Sequence, residues 1–204
     1  MKLLGSKTLE TERLILRSSS MKEQKRLWEI LMDNKVNKWY LTSAKKKRDN
    51  KEHWTWSNQE KFYKKKVENA NNNDVFIWSI FLKKEYTISK KEEVIGQISF
   101  GENGIDITIR DAGWFIDPLY QGNGYAKEAS FVALDYMFNE VEIEKVSSSA
   151  VKENIPSCKL FEYLGFKKID EEEKPSPYTF YDGNLVFSNY ELTRKDYLTI
   201  HGNN

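Results

Sequence analysis

The sequence predicts an α+β (α/β) fold, a mixed and mostly antiparallel central sheet with helices on both faces. Three observations carry this expectation. Runs rich in β-branched and aromatic residues follow one another at Val75 to Leu82, Glu93 to Phe100 and Ile105 to Ile116, the pattern of an antiparallel meander. Between Gly113 and Ala150, a strand, a glycine turn, a helix and a further strand make one crossover, which pairs its strands in parallel. Helical spacing of apolar residues recurs both before the meander and after the glycine turn.

Thr11 to Arg17 opens as a short strand, and Leu27, Ile30 and Leu31 recur at helical spacing between Met21 and Asn34. From Val36 to Asn58 the periodicity is lost among Trp39, Tyr40, Trp54, Trp56 and the basic run Lys45 to Arg48. This predicts a long loop with room for one helical turn, of a length usually tied to function. A second helix covers Asn58 to Asn69 and stops at the polar Asn71 to Asp74 cluster. The lysine-rich segment after Leu82 reads as a long hairpin connection, and the third strand ends at Asp117-Pro118, where proline removes a ladder donor. From Gly124 to Phe138, Ala129, Val132, Ala133, Tyr136 and Met137 give a helix with a wide buried face. Val146, Ser148 and Ala150 alternate as the next strand. Pro156 to Leu164 is a short helix closed by Gly165 at the left-handed cap position, and Phe166 to Ile169 a short strand. Asp182-Gly183 is a turn, and Leu185 to Leu192 the last strand.

At 204 residues and 39% hydrophobic content, one core and one domain over residues 1–204 are expected. The 32 basic and 31 acidic residues nearly cancel, so no global field draws the chain onto nucleic acid or an anionic membrane. Cys158 has no cysteine partner, and no Cys/His spacing suggests a metal site. With no signal-peptide pattern and no apolar run of spanning length, a cytoplasmic protein is expected.

The turn Gln121-Gly-Asn-Gly-Tyr-Ala126 sits directly before a helix. A helix N-terminus reached through glycines presents unpaired N–H groups to an anion, which suits phosphate. The turn lacks the Lys-Ser/Thr of a Walker loop and the third glycine of a dinucleotide fingerprint. An ordinary tight turn remains the alternative on these residues alone. Asn154-Ile-Pro-Ser157 begins a second helix after the next strand, so both helix starts should face one cleft at the same sheet edge.

This order of parts resembles the GNAT family of acyl-CoA-dependent N-acyltransferases, whose pyrophosphate loop reads Gln/Arg-x-x-Gly-x-Gly/Ala. Leu9-Glu-Thr-Glu-Arg-Leu-Ile-Leu-Arg17, Gly113-Trp-Phe-Ile-Asp-Pro118 and Asn154 to Phe166 resemble its RimJ/RimL branch in particular. The resemblance implies a GNAT fold whose two central parallel strands splay apart, no metal, and acetyl-CoA as cofactor. The pantetheine would lie along Trp114, Phe115 and Ile116, with an N–H near Phe115 on the thioester carbonyl. The pyrophosphate would lie on Gln121, Gly122, Asn123, Gly124, Tyr125, Ala126 and Lys127. Asn154 would meet the pantetheine amides or cap its helix. Many members supply a proton to the leaving thiolate from a tyrosine four residues before the Gly-Phe pair. Phe161 stands there, and Tyr163 lies about 200° around the helix from it. Ser157, by resemblance to the branch, is the candidate acid, with a first-turn serine satisfying backbone donors as the alternative. Asp111 is the candidate base, with a solvated strand aspartate as the alternative.

Trp39, Tyr40, Trp54 and Trp56 fall where the family builds its acceptor pocket, with a core role for half of them as the alternative. Against Asp49 and Glu52, the segment 36 to 58 carries Lys38, Lys45, Lys46, Lys47, Arg48 and Lys51, which would repel a polyamine or aminoglycoside. The expected acceptor is therefore an amine without further charge, such as a peptide or protein N-terminus. A small-molecule amine acetyltransferase, a non-catalytic acyl-CoA sensor and a nucleic-acid adaptor are the rival readings, and a homodimer stays open.

Overall fold

The computed structural model describes residues 1–40, 55–176 and 183–202. Trp54, His53, the Lys45 to Arg48 run and Asp182 lie outside the described residues. The chain begins with β1 (Leu9–Glu10) and β2 (Leu14–Arg17), then α1 (Met21–Met32), α2 (Asn34–Tyr40) and α3 (Trp56–Glu68). The meander follows as β3 (Ile77–Leu82), β4 (Glu93–Glu102) and β5 (Ile109–Ile116). After the glycine turn come α4 (Tyr125–Asp135), β6 (Lys145–Val151), α5 (Ile155–Tyr163), β7 (Lys167–Pro175), β8 (Asn184–Thr193) and α6 (Arg194–His201).

The eight strands form one sheet in the order β1-β2-β3-β4-β5-β6-β8-β7. Its pairings are antiparallel except β5 with β6, as the meander and the single crossover predict. Strand alternation sends Ala112 and Ile116, with partly buried Trp114, into the larger core cluster, which contains Ala129 and Ala133 of α4, Phe161 of α5 and Tyr197 of α6. Phe115 goes the other way, into a cluster with Leu27, Ile30 and Leu31 of α1 and Val36 of α2. Helices thus cover both faces. The helix α1 starts where its sequence says it should, since Ser20 and Glu23 form a reciprocal capping box.

Four expectations need correction. The segment from Val36, read as a long loop with room for one helical turn, begins inside a seven-residue helix, Asn34–Tyr40, because Val36 and Trp39 give only one i, i+3 pair, too short for periodicity to register. The third strand begins at Ile109 rather than Ile105, which stands 90% exposed in the preceding turn. The helix after the glycine turn ends as a π-helical segment, Tyr136–Glu140. The strand expected over 166–169 runs from Lys167 to Pro175. Beyond the last strand, α6 places His201 against Tyr197 and Phe131.

Candidate active site

The parallel ladder between β5 and β6 is short. It joins Ile109 with Lys145, Arg110 with Val146 and Asp111 with Ser147, and goes no further. The Ser148 hydroxyl donates to the Ala112 carbonyl at 2.7 Å just past that point. Beyond it the strands part while β5 continues to Ile116, held on its far side by β4. The mouth so formed lies at the carboxyl ends of two parallel strands, the usual ligand crevice of such sheets. Both helix starts that follow these strands, at Gly124 and Asn154, lie at this edge.

Gly122 and Gly124 have φ of +80° and +81°, a left-handed conformation that side chains with a Cβ adopt only under strain. Among the described residues a Cβ on Gly122 would meet nothing within 4 Å, so the turn is open to them on that side. Its shape is fixed from within: the Gln121 side chain donates to the Ile116 carbonyl at 2.8 Å, and the Asn123 amide to Tyr120 and Gln121 carbonyls at 3.1 and 3.2 Å. The polar side chains that the sequence places at the rim therefore brace the loop. Among the described residues, the backbone N–H groups of Gly122, Asn123, Gly124, Tyr125, Ala126 and Lys127 donate to no protein acceptor. Six such donors around a helix N-terminus are the arrangement that suits an anion.

A second feature had no signature in the sequence. Glu128, in the first turn of α4, accepts from Thr11 Oγ1, from Arg13 N at 3.0 Å and from Arg13 Nε at 2.7 Å. Burial works to raise the Glu128 pKa, but these hydrogen bonds and the Arg13 charge outweigh it and hold the carboxyl below its usual range. Arg13 also donates to the Asn123 carbonyl at 3.1 Å and lies over the Tyr125 ring at 4.6 Å.

On α5, Asn154 makes no side-chain cap, and its carbonyl accepts from Ser157 and Cys158 N. Ser157 is half-buried, and among the described residues its hydroxyl bonds no backbone donor, so the first-turn satisfying role is not what the structure has. Phe161 is 3% exposed between Trp114, at 4.9 Å, and Tyr190, at 4.8 Å between ring centroids. Tyr163 does face elsewhere: it is 56% exposed, with the Lys127 ammonium 3.3 Å over its ring. The half-buried Cys158 thiol turns toward the carbonyls of Val151 and Lys152.

The opposite face of the sheet carries the aromatic residues of α2 and α3. Trp39 packs on Val151 and Phe187, so α2 reaches across the parted strands to β6 and β8. Trp56 instead stacks on Trp28 and Tyr63 at 5.8 and 5.3 Å, in a cluster between α1 and α3. Tyr40 ends α2, and its side chain lies outside the described residues. Asp111 sits where the ladder ends, on the Phe115 face, and burial raises its pKa. Four residue steps along the strand separate it from Phe115, about 13 Å at 3.3 Å each, so the two are not brought together. Lys66 of α3, unflagged by any pattern, donates to Gln97 beside Phe115, and burial lowers its pKa to about 8.

A family model described as an acetyltransferase (GNAT) domain matches residues 13–167. An uncharacterized N-acetyltransferase of Bacillus subtilis, YnaD, is 27% identical over 166 residues, 78% of this chain and 82% of that protein. Two solved structures share the fold. A ribosomal-protein-S5-alanine acetyltransferase from Vibrio fischeri superposes with a TM-score of 0.72 at 19% identity, covering 94% of this chain and 99% of the other. A spermidine N-acetyltransferase from Vibrio cholerae, in complex with CoA and spermine, gives 0.72 at 18%, covering 92% and 99%. Among the described residues no helix is long and apolar enough to cross a membrane.

Proposed function

We infer the function from one premise, that the chain belongs to the GNAT acetyltransferase family. It is an acyltransferase that uses acetyl-CoA and acts on an amine. The residues present fit that cofactor: the open Gly122 side, the undonated amides from Gly122 to Lys127 and the parted strands give an anion cradle leading into a cleft. When bound, acetyl-CoA supplies an activated thioester carbonyl.

The proposed assignment gives each residue one task. Gly122 to Lys127 hold the diphosphate by N–H donors, with Gln121 and Asn123 bracing them. Trp114, Phe115 and Ile116 align the pantetheine, and Asn154 meets its amides. The Ser157 hydroxyl gives a proton to the departing sulfur. Asp111 is too distant along its strand to touch the reacting amine, so its part is to receive the released proton through water. An α-amine, with a reference pKa near 7.7–8.0, is appreciably neutral without such help.

The acceptor we propose is a peptide or protein N-terminus whose side chain carries no charge, as in the RimJ/RimL branch. One observation carries this, the cationic character of the Phe115 face: the Lys38 ammonium lies 4.6 Å over the Trp39 ring, and Lys66 adds a second cation beside Gln97. A polyamine would meet both cations. In a competition at fixed acetyl-CoA, an Ala- or Ser-starting peptide should be acetylated ahead of spermidine and of an aminoglycoside. Preference for either polycation would sink this choice of acceptor.

Ser157→Ala should lower kcat by about tenfold or more while leaving CoA affinity intact, because the hydroxyl acts as the sulfur leaves. Equal turnover, with chemistry shown to be rate-limiting, would remove Ser157 from the mechanism.

A further inference from the structure

We propose that Arg13 is a positioning residue for cofactor binding, which neutralises Glu128 and locks the glycine turn in its anion-binding shape. This rests on the reading of that turn as the diphosphate cradle. Glu128 places a carboxylate in the first turn of the helix whose N-terminus receives the anion. A carboxylate there repels a diphosphate unless a cation offsets it. Arg13 is that cation, with its guanidinium 2.7 Å from the Glu128 carboxylate and the pair's side chains only 29% and 19% exposed.

The same guanidinium reaches the turn itself. It donates to the Asn123 carbonyl at 3.1 Å, between the two left-handed glycines, and its NH2 stands 3.5 Å from where a Gly124 Cβ would be. With the carbonyl of Asn123 held outward by Arg13, the peptide groups on either side are kept in the orientation that leaves their N–H groups for a ligand. Thr11 completes the tie by donating to the other carboxylate oxygen of Glu128. The loop between β1 and β2, more than a hundred residues away in sequence, thus becomes part of the cofactor site.

The test is CoA titration by calorimetry, well below each variant's melting temperature measured without CoA. Arg13→Ala should weaken CoA about tenfold, and the double variant Arg13→Ala with Glu128→Gln should recover part of that loss, since the unbalanced carboxylate is gone. A purely structural role for Arg13 predicts no recovery, because the second substitution removes still more of the tie. Should Arg13→Ala fail to fold, Arg13→Lys keeps the ion pair, loses the contact to Asn123, and should weaken CoA about threefold. Gly124→Val separates the two levels. If it loses CoA while the Arg13 variants bind as wild type does, the turn is the cradle and Arg13 is not its positioning residue. If Gly124→Val itself binds CoA normally, the reading of the turn fails and this proposal with it. Absence of recovery in the double variant overturns the neutralising role.

Discussion

Gly124→Val should reduce CoA affinity by about a hundredfold or more, some 3 kcal/mol, in a protein that still folds. The reason is conformational. Space alone would permit a Cβ at Gly124, whose only neighbour within 4 Å among the described residues would be the Arg13 guanidinium at an ordinary 3.5 Å. The backbone, however, has φ +81° and ψ 3°, where a β-branched residue is a true outlier. To relieve a strain of about 1–3 kcal/mol the turn must rotate peptide groups, and the amides at the start of α4 lose their common aim. Steric blocking of the ligand is therefore only the lesser part of the effect. Gly104→Val is the matched control. Gly104 also has positive φ, +76°, with nothing within 4 Å, but lies in the connection between β4 and β5. Both variants should lose stability comparably, and only Gly124→Val should lose CoA. Equal CoA affinity in the two would detach the turn from the cofactor.

The turn was legible because its chemistry is local: two glycines, a polar rim and a helix start lie within six residues. The meander was legible because its strands β3 and β4 are buried on both faces and so read as near-continuous runs of β-branched and aromatic residues, and the crossover because a glycine turn and an amphipathic helix separate its two strands. The edge strand β7 shows the converse. Lys167 to Pro175 is exposed along almost its whole length, carries charge on both faces, and so offered no alternation beyond its first residues. The helix α2 was missed for lack of length. Two contacts that shape the candidate site were not legible at all, the Arg13–Glu128 tie and the Lys66–Gln97 bond, because each joins residues far apart in the chain by charge or hydrogen bonding and leaves no period behind. The candidate acid and base show the limit of motif reasoning. The resemblance puts Phe161, which has no proton to give, at the family's tyrosine position, and the structure encloses it between two rings. Asp111 matched a position in a pattern, yet strand geometry keeps it about 13 Å from Phe115.

The same strand geometry makes Gly96→Ala the second substitution with a large effect. Gly96 of β4 is paired with Ile116 of β5, at the end of the strand that borders the cleft. An added Cβ would stand 2.3 Å from the Phe115 carbonyl oxygen and 3.2 Å from the Ile116 Cα, and backbone atoms cannot swing aside as a flexible side chain does. The strand β5 must move, and Phe115 and Ile116 would move with it. We expect a stability loss of about 1–3 kcal/mol, seen as a fall of several degrees in melting temperature. CoA affinity should fall as well, because the displaced residues are those proposed to align the pantetheine. Gly101→Ala, on the same strand pair, supplies the comparison. Its Cβ would meet only the Asp111 carbonyl, at 3.9 Å, so it should fold as the wild type does and gain slightly from reduced freedom in the unfolded chain. If Gly96→Ala and Gly101→Ala melt together, β4 and β5 do not approach as closely as described. If Gly96→Ala melts lower but binds CoA unchanged, the end of β5 holds the fold and does not align the cofactor.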